Sequence, residues 1–211
     1  MKYFVFIFLF ILFSCANKEN ILLPKSNVTL VSNVIDHSPI YIFFRTKGKD
    51  TLAEVNRKNS IISTNWILNI DKRLPLRLVI PEVMKLQDKK RGEVVHKNEL
   101  AENYYSYADS IGKNMAFLSF TKVYYRMEKP EFGAIVYFDK HNEISVNNMF
   151  VKKDELHNYL MNFLPLDKPD RFQFCFAKDL SYGNYIQDKI FIKSLKFPVL
   201  DVNLTNQEFL Y

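Results

Sequence analysis

Gly133-Ala134-Ile135-Val136-Tyr137-Phe138, Asp139-Lys140-His141-Asn142 and Glu143-Ile144-Ser145-Val146 follow one another without a break. Two short segments of β-branched and aromatic residues joined by a polar turn predict a pair of strands. Downstream, Leu156, Tyr159, Leu160, Phe163 and Leu164 recur at helical spacing, so 152–164 predicts a helix with one apolar face. Residues 171–177 again have strand composition, Ser181 suits the cap of a helix running to about residue 195, and 199–204 reads as a last strand. The order strand, strand, helix, strand, helix, strand predicts an α+β fold, small sheets with helices packed on one face.

Upstream the pattern is less regular. Residues 27–34 alternate like a strand, and 40–44 and 51–55 flank Lys47-Gly48-Lys49-Asp50, the signature of a hairpin. A strand is expected over 61–70. After Pro75, the spacing of Leu76, Val79, Ile80, Val83 and Met84 predicts a helix to about residue 90, with Pro81 in its first turn or kinking it. Residues 92–112 are polar and tyrosine-containing and read as a long loop, and 114–126 as a strand. Glu128-Lys129-Pro130-Glu131 lacks any apolar residue and is the expected boundary between two sub-domains, 27–127 and 132–211.

The chain opens with Lys2, an apolar run over 3–13, and Leu12-Phe13-Ser14-Cys15. This layout resembles a bacterial lipoprotein signal with its lipobox. The run is shorter than the roughly 20 residues a spanning helix needs, and polar Asn17-Lys18-Glu19-Asn20 follows at once. The resemblance implies removal of residues 1–14, a diacylglyceryl group on Cys15, acylation of the new amino terminus and a tether over 15–26. Two or more acyl chains anchor stably where one exchanges. Ala16 and Asn17 lack an acidic retention signal, which points to the outer membrane of the cell envelope.

Residues 133–205, about a third of the chain, resemble the periplasmic domain of the ExbD/TolR family. Ile135 to Lys140 with Glu143 to Asn147 is similar to that family's opening hairpin, and Asp154-Glu155-Leu156 to the start of its first helix. Lys178-Asp179-Leu180-Ser181-Tyr182-Gly183 is similar to its loop into the second helix. The family commonly has Asp where Ala177 stands and Pro where Ser181 stands. Ile70-Asp71-Lys72-Arg73-Leu74-Pro75 resembles the same passage and keeps the Asp-Lys and the Pro, so residues 27–126 read as a diverged duplicate without the first helix. Family members that couple to the proton gradient carry an acidic residue in a membrane helix. Residues 1–15 have no Asp or Glu, so this chain is expected not to move protons itself. The resemblance implies pairing with a copy of itself or with envelope proteins.

The formal net charge of +6 includes Lys2 and is spread along the chain, which fits solvated surface rather than a nucleic-acid site. With Cys15 lipidated, Cys175 has no partner for an internal disulfide, and its strand composition suits an inert thiol. His37, His96, His141 and His157 show no metal-ligand spacing, and five glycines build no phosphate loop. No catalytic residues, metal or cofactor are expected. Tyr104, Tyr105 and Tyr107, with Tyr182, are candidate partner or ligand contacts, because rings with a polar tip suit half-wet recognition; the other reading places the first three partly in the core. The expected function is therefore a noncatalytic, lipid-anchored envelope protein that binds or scaffolds other proteins. The alternative is a lipoprotein binding a small molecule, peptide or glycan in a cleft between its sub-domains.

Overall fold

The computed structural model describes residues 19–167, 172–195 and 206–211. The signal segment, Cys15 and the strand expected over 199–204 lie outside them.

The chain forms a mixed α and β structure of two sheets and three helices among the described residues. The first sheet contains β1 (Lys25–Ser26), β2 (His37–Lys47), β3 (Asp50–Asn56), β4 (Asn65–Ile70), β5 (Asn103–Asp109) and β6 (Met115–Ser119), with α1 (Leu76–Arg91) between β4 and β5. The second contains β7 (Tyr124–Arg126), β8 (Ala134–Phe138), β9 (Ile144–Val146), β10 (Met149–Val151), β11 (Phe172–Phe176) and β12 (Gln207–Leu210). Helix α2 (Leu156–Asp167) precedes β11 and α3 (Tyr182–Ser194) follows it.

Local chemistry accounts for most of these elements. Gly48 sits at φ 62 in the two-residue turn between paired Lys47 and Asp50, the left-handed value such a hairpin needs. Asn147 and Asn148, at φ 49 and 69, make the corresponding turn between β9 and β10. Helix α1 buries Leu76, Val79, Ile80, Val83 and Leu86, and its last turn carries Lys89, Lys90 and Arg91 against the dipole. Pro81 lies inside the helix, beyond the first turn. Ser181 caps α3 by accepting a hydrogen bond from the Asn184 backbone N–H at 3.2 Å.

Several expectations are corrected. The long loop over 92–112 contains β5, a strand joined to β4 on one side and β6 on the other. Its polar residues find partners inside: Ser106 Oγ donates to Asn69 Oδ1 at 2.8 Å, and Asn103 Oδ1 accepts from Lys90 Nζ at 3.0 Å. The strand expected over 27–34 reduces to a single bridge, Val31 to Phe117. The strand expected over 114–126 divides into β6 and β7, which belong to different sheets. β7 thus lies before the Glu128–Glu131 stretch in sequence yet pairs with β12 in the second sheet. One core cluster runs through both halves, from Trp66, Tyr105 and Phe120 to Phe176, Tyr182 and Tyr185.

The amino-terminal stretch expected as a tether is bonded to the fold from Glu19, which pairs with Arg45 at 2.5 Å, and joins the first sheet at Lys25. Lys25 and Ser26 pair parallel to Ala108 and Asp109, on the side of β5 opposite β6. Leu22 donates its N–H to Asp71 Oδ2 at 3.4 Å and accepts from the Lys72 N–H at 2.8 Å. Asp71 is fully buried and also takes two bonds from the Arg73 guanidinium, at 2.9 and 2.8 Å. Burial alone would raise its pKa, but the bonds from Arg73 and Leu22 outweigh it and hold the carboxyl below its ordinary range.

The two sheets share a plan. Strand order β3-β2-β4-β5 in the first matches β9-β8-β11-β12 in the second, with the parallel and antiparallel pairings in the same places. The Asp71 N–H donates to the Ile42 carbonyl at 3.0 Å, and the Ala177 N–H to the Phe138 carbonyl at 2.8 Å, at the same point of each half. The halves then meet through reciprocal bonds: Leu76 N–H to Leu180 O at 3.0 Å is mirrored by Tyr182 N–H to Leu74 O at 2.8 Å. Arg77 N–H to Lys178 O at 2.7 Å is mirrored by Gly183 N–H to Lys72 O at 2.9 Å. The pattern has local twofold symmetry about Pro75 and Ser181.

Gly183 permits this approach. A Cβ there would stand 3.1 Å from the Lys72 Cβ and 3.2 Å from its carbonyl oxygen. Alanine favours a helix over glycine by about 1 kcal/mol, but Lys72 is pinned by its bond to Gly183 and yields little. Overpacking of this kind costs about 1–3 kcal/mol, so Gly183→Ala is expected to lower stability by about 1 kcal/mol in urea unfolding. A variant more stable than the parent would show that the contact is looser than the distances indicate.

Candidate functional site

Where the halves join, four segments bring polar side chains together inside the core. β5 supplies Tyr105, β7 Tyr125, α3 Tyr185 and Lys189, and β12 Glu208. The Tyr105 and Tyr125 hydroxyls lie 2.6 Å apart, those of Tyr125 and Tyr185 3.2 Å apart, and Tyr185 donates to Glu208 Oε2 at 2.6 Å. Lys189 Nζ donates to Glu208 Oε1. Each hydroxyl has one proton, so the direction of the row is fixed: Tyr185 spends its proton on Glu208, Tyr125 donates to Tyr185, and Tyr105 donates to Tyr125.

Burial pushes the pKa of Tyr105, Tyr125 and Tyr185 well above the ordinary tyrosine value, and the Glu208 charge acts in the same sense on all three. These groups stay protonated at neutral pH and serve as hydrogen-bond donors. Tyr182 packs edge-on to Tyr105 with centroids 5.7 Å apart, and its hydroxyl is the one buried side-chain oxygen without a partner among the described residues.

The row ends at a cleft of about 380 Å³ between the two halves. Its apolar walls are Phe120, Val123, Phe174 and Ile192, and its charged lining is Lys122, Lys189, Lys193, Glu102 and Glu208. Partial burial and the nearby Lys189 lower the pKa of Lys193. Glu102 Oε2 accepts the Tyr104 hydroxyl at 2.5 Å. Burial and that carboxylate raise Tyr104 to about 12.

The expected contact residues are thus mostly elsewhere. Tyr105, Tyr107 and Tyr182 are fully buried, because period-two alternation in β5 and the inner face of α3 direct them into the core. Tyr107 donates to the Val28 carbonyl at 2.9 Å and accepts from the Leu30 N–H at 3.0 Å, fixing the segment before β2. Tyr104 is half-buried, and none of the four tyrosines lines the cleft. Cys15 lies outside the described residues.

No family model, curated protein or solved structure matches this chain. Its chemistry therefore rests on its own residues. Among the described residues, no group of three or more His, Cys, Asp or Glu is placed to hold a metal ion, and no helix is long and apolar enough to cross a membrane. Cys175 is buried, and burial raises its thiol to about 12, a thiol and not a thiolate at neutral pH. His37 is occupied by the Val34 carbonyl, 2.8 Å from its Nδ1. The cleft residues Lys122, Lys189, Lys193 and Glu208 carried no motif in the sequence.

Proposed function

We propose that this protein is a noncatalytic, lipid-anchored component of a bacterial cell envelope that acts by binding or scaffolding other proteins, the extracytoplasmic counterpart of ExbD/TolR-like modules without their proton-carrying helix. The observation that supports this reading is the shared plan of the two sheets and their reciprocal bonding about Pro75 and Ser181. Two units of like strand order face each other within one chain, as a duplication would leave them, and such an arrangement would stand in for the self-pairing that the family resemblance implies. β3 and β10 end the two sheet orders and offer backbone edges that a partner strand would extend.

Recovery of the full-length protein from detergent-solubilised envelopes is expected to enrich a proton-channel subunit or a TonB-like protein. Enrichment of no envelope protein would overturn the scaffold reading. Membrane attachment is tested separately: Cys15→Ser is expected to abolish palmitate labelling and shift the protein from the membrane to the soluble fraction. A variant that still labels would refute lipidation at Cys15.

A second reading, a lipoprotein that binds a ligand between its sub-domains, is favoured by the cleft of about 380 Å³, a volume within the usual range for small-molecule sites.

A further inference from the structure

We propose that the cleft between the halves binds an amphipathic organic anion, its apolar body against Phe120, Phe174 and Ile192 and its anionic head on Lys122 and Lys193. This inference rests on the ligand-binding reading of the cleft and specifies the class of ligand. The apolar residues come from both sheets and from α3, so the wall exists only where the halves meet. Phe120, Phe174 and Ile192 are 3%, 7% and 5% exposed over the whole residue, so each is packed in the core and shows the cleft only a narrow edge. An apolar group entering the cleft meets a preformed surface and displaces water from it.

The charge of the head follows from which polar groups are already occupied. Glu208 spends one carboxylate oxygen on Tyr185 and the other on Lys189, so it has little capacity left for a cationic ligand. Glu102 holds the Tyr104 hydroxyl. Lys122 and Lys193 form no ion pair among the described residues, and both line the cleft. Apart from Oε1 of Glu102, the charged groups left open are the ammonium donors Lys122 and Lys193, which outweigh it, and an ammonium selects a carboxylate or a phosphate head. A cation would be repelled by the same groups and a wholly neutral ligand would leave them unused.

Octanoate, octyl phosphate, octanol and acetate separate these requirements when titrated into the full chain by calorimetry. Saturable binding of octanoate or octyl phosphate at least tenfold tighter than octanol and acetate is expected, and the tighter of the two anions identifies the head. Lys193→Met and Lys122→Met are each expected to weaken the anion about tenfold while leaving octanol binding and the melting temperature in place, and Lys193→Arg to restore it. Octanol binding as tightly as octanoate would overturn the anion assignment and leave the cleft as a neutral ligand site. Failure of all four probes would overturn the anion assignment together with the ligand reading of the cleft. Anion binding unaffected by either lysine substitution would place it elsewhere and overturn the proposal.

Discussion

Between pH 10 and 12 the urea midpoint of this protein is expected to collapse. Tyr105, Tyr125, Tyr182 and Tyr185 are fully buried with pKa values driven well above the ordinary tyrosine value, first by burial, with the Glu208 charge adding to it for Tyr105, Tyr125 and Tyr185. In the unfolded chain each ionises near 10. The folded state then binds more protons than the unfolded one, and a raised folded pKa means that stability present below pH 10 is lost above it. Each group that stays protonated in the fold loses about 1.4 kcal/mol per pH unit, so the four together lose up to about 6 kcal/mol per unit above pH 10. A domain has about 5–15 kcal/mol in total.

Lys90 opposes this. Its ammonium is buried, bonded to the Thr64 carbonyl at 2.8 Å and set over Trp66 at 4.8 Å, yet desolvation lowers its pKa to about 8. A lowered lysine stabilises the fold as pH rises from 8 towards 10.5, by at most about 3 kcal/mol. One lysine does not offset four tyrosines. Cys175, its thiol raised by burial to about 12, adds to the loss above pH 9, so the expected profile rises slightly to about pH 9 and falls steeply above 10. Tyrosinate absorbance should appear together with unfolding for the buried four. Their ionisation near pH 10 in a chain that stays folded would contradict the arrangement.

Glu208→Ala is expected to cost about 3 kcal/mol, at the lower end of the range for breaking a buried ion pair. The carboxylate terminates the tyrosine row and neutralises Lys189, whose side chain is only 16% exposed. Removing it leaves an ammonium with poor access to water and Tyr185 with a hydroxyl proton that has nowhere equivalent to go. Partial exposure lets Lys189 turn outward, which keeps the loss below the 5 kcal/mol seen for sealed pairs. The additional change Lys189→Met should recover part of the loss, since the stranded charge disappears with it. Urea unfolding of the two single variants and the double variant measures this coupling. A Glu208→Ala protein within about 1 kcal/mol of the parent would show that the row is not closed by Glu208.

The sequence was legible where local chemistry decides structure. Gly48 in a two-residue turn, the apolar stripe of α1 and the Ser181 cap each leave a mark within a few residues, and each element formed. β10 escaped notice although Asn147-Asn148, residues that tolerate left-handed backbone, announced its turn. β5 was obscured by its composition: Asn103, Ser106 and Asp109 look solvated until β4, α1 and the turn after β5 supply their partners. A cleft between the sub-domains follows from the boundary, but none of its lining was legible. Its walls come from segments before β5, around β6 and β7, in β11, in α3 and at β12, and only the joining of two sheets brings them together.

Were the chain held by a lipid on Cys15, the bonds that Leu22 makes with Asp71 and Lys72 would also set where mechanical load enters the molecule. With a lipid on Cys15, the chain from there to Glu19, which pairs with Arg45 at 2.5 Å, would reach at most about 14 Å, and on to Leu22 at most about 25 Å. Tension from the membrane would arrive beside Asp71, one residue from the Lys72 carbonyl that accepts the Gly183 N–H. A pull on the anchor would therefore be felt first at the seam between the halves, so that the joint and the attachment point act as one hinge.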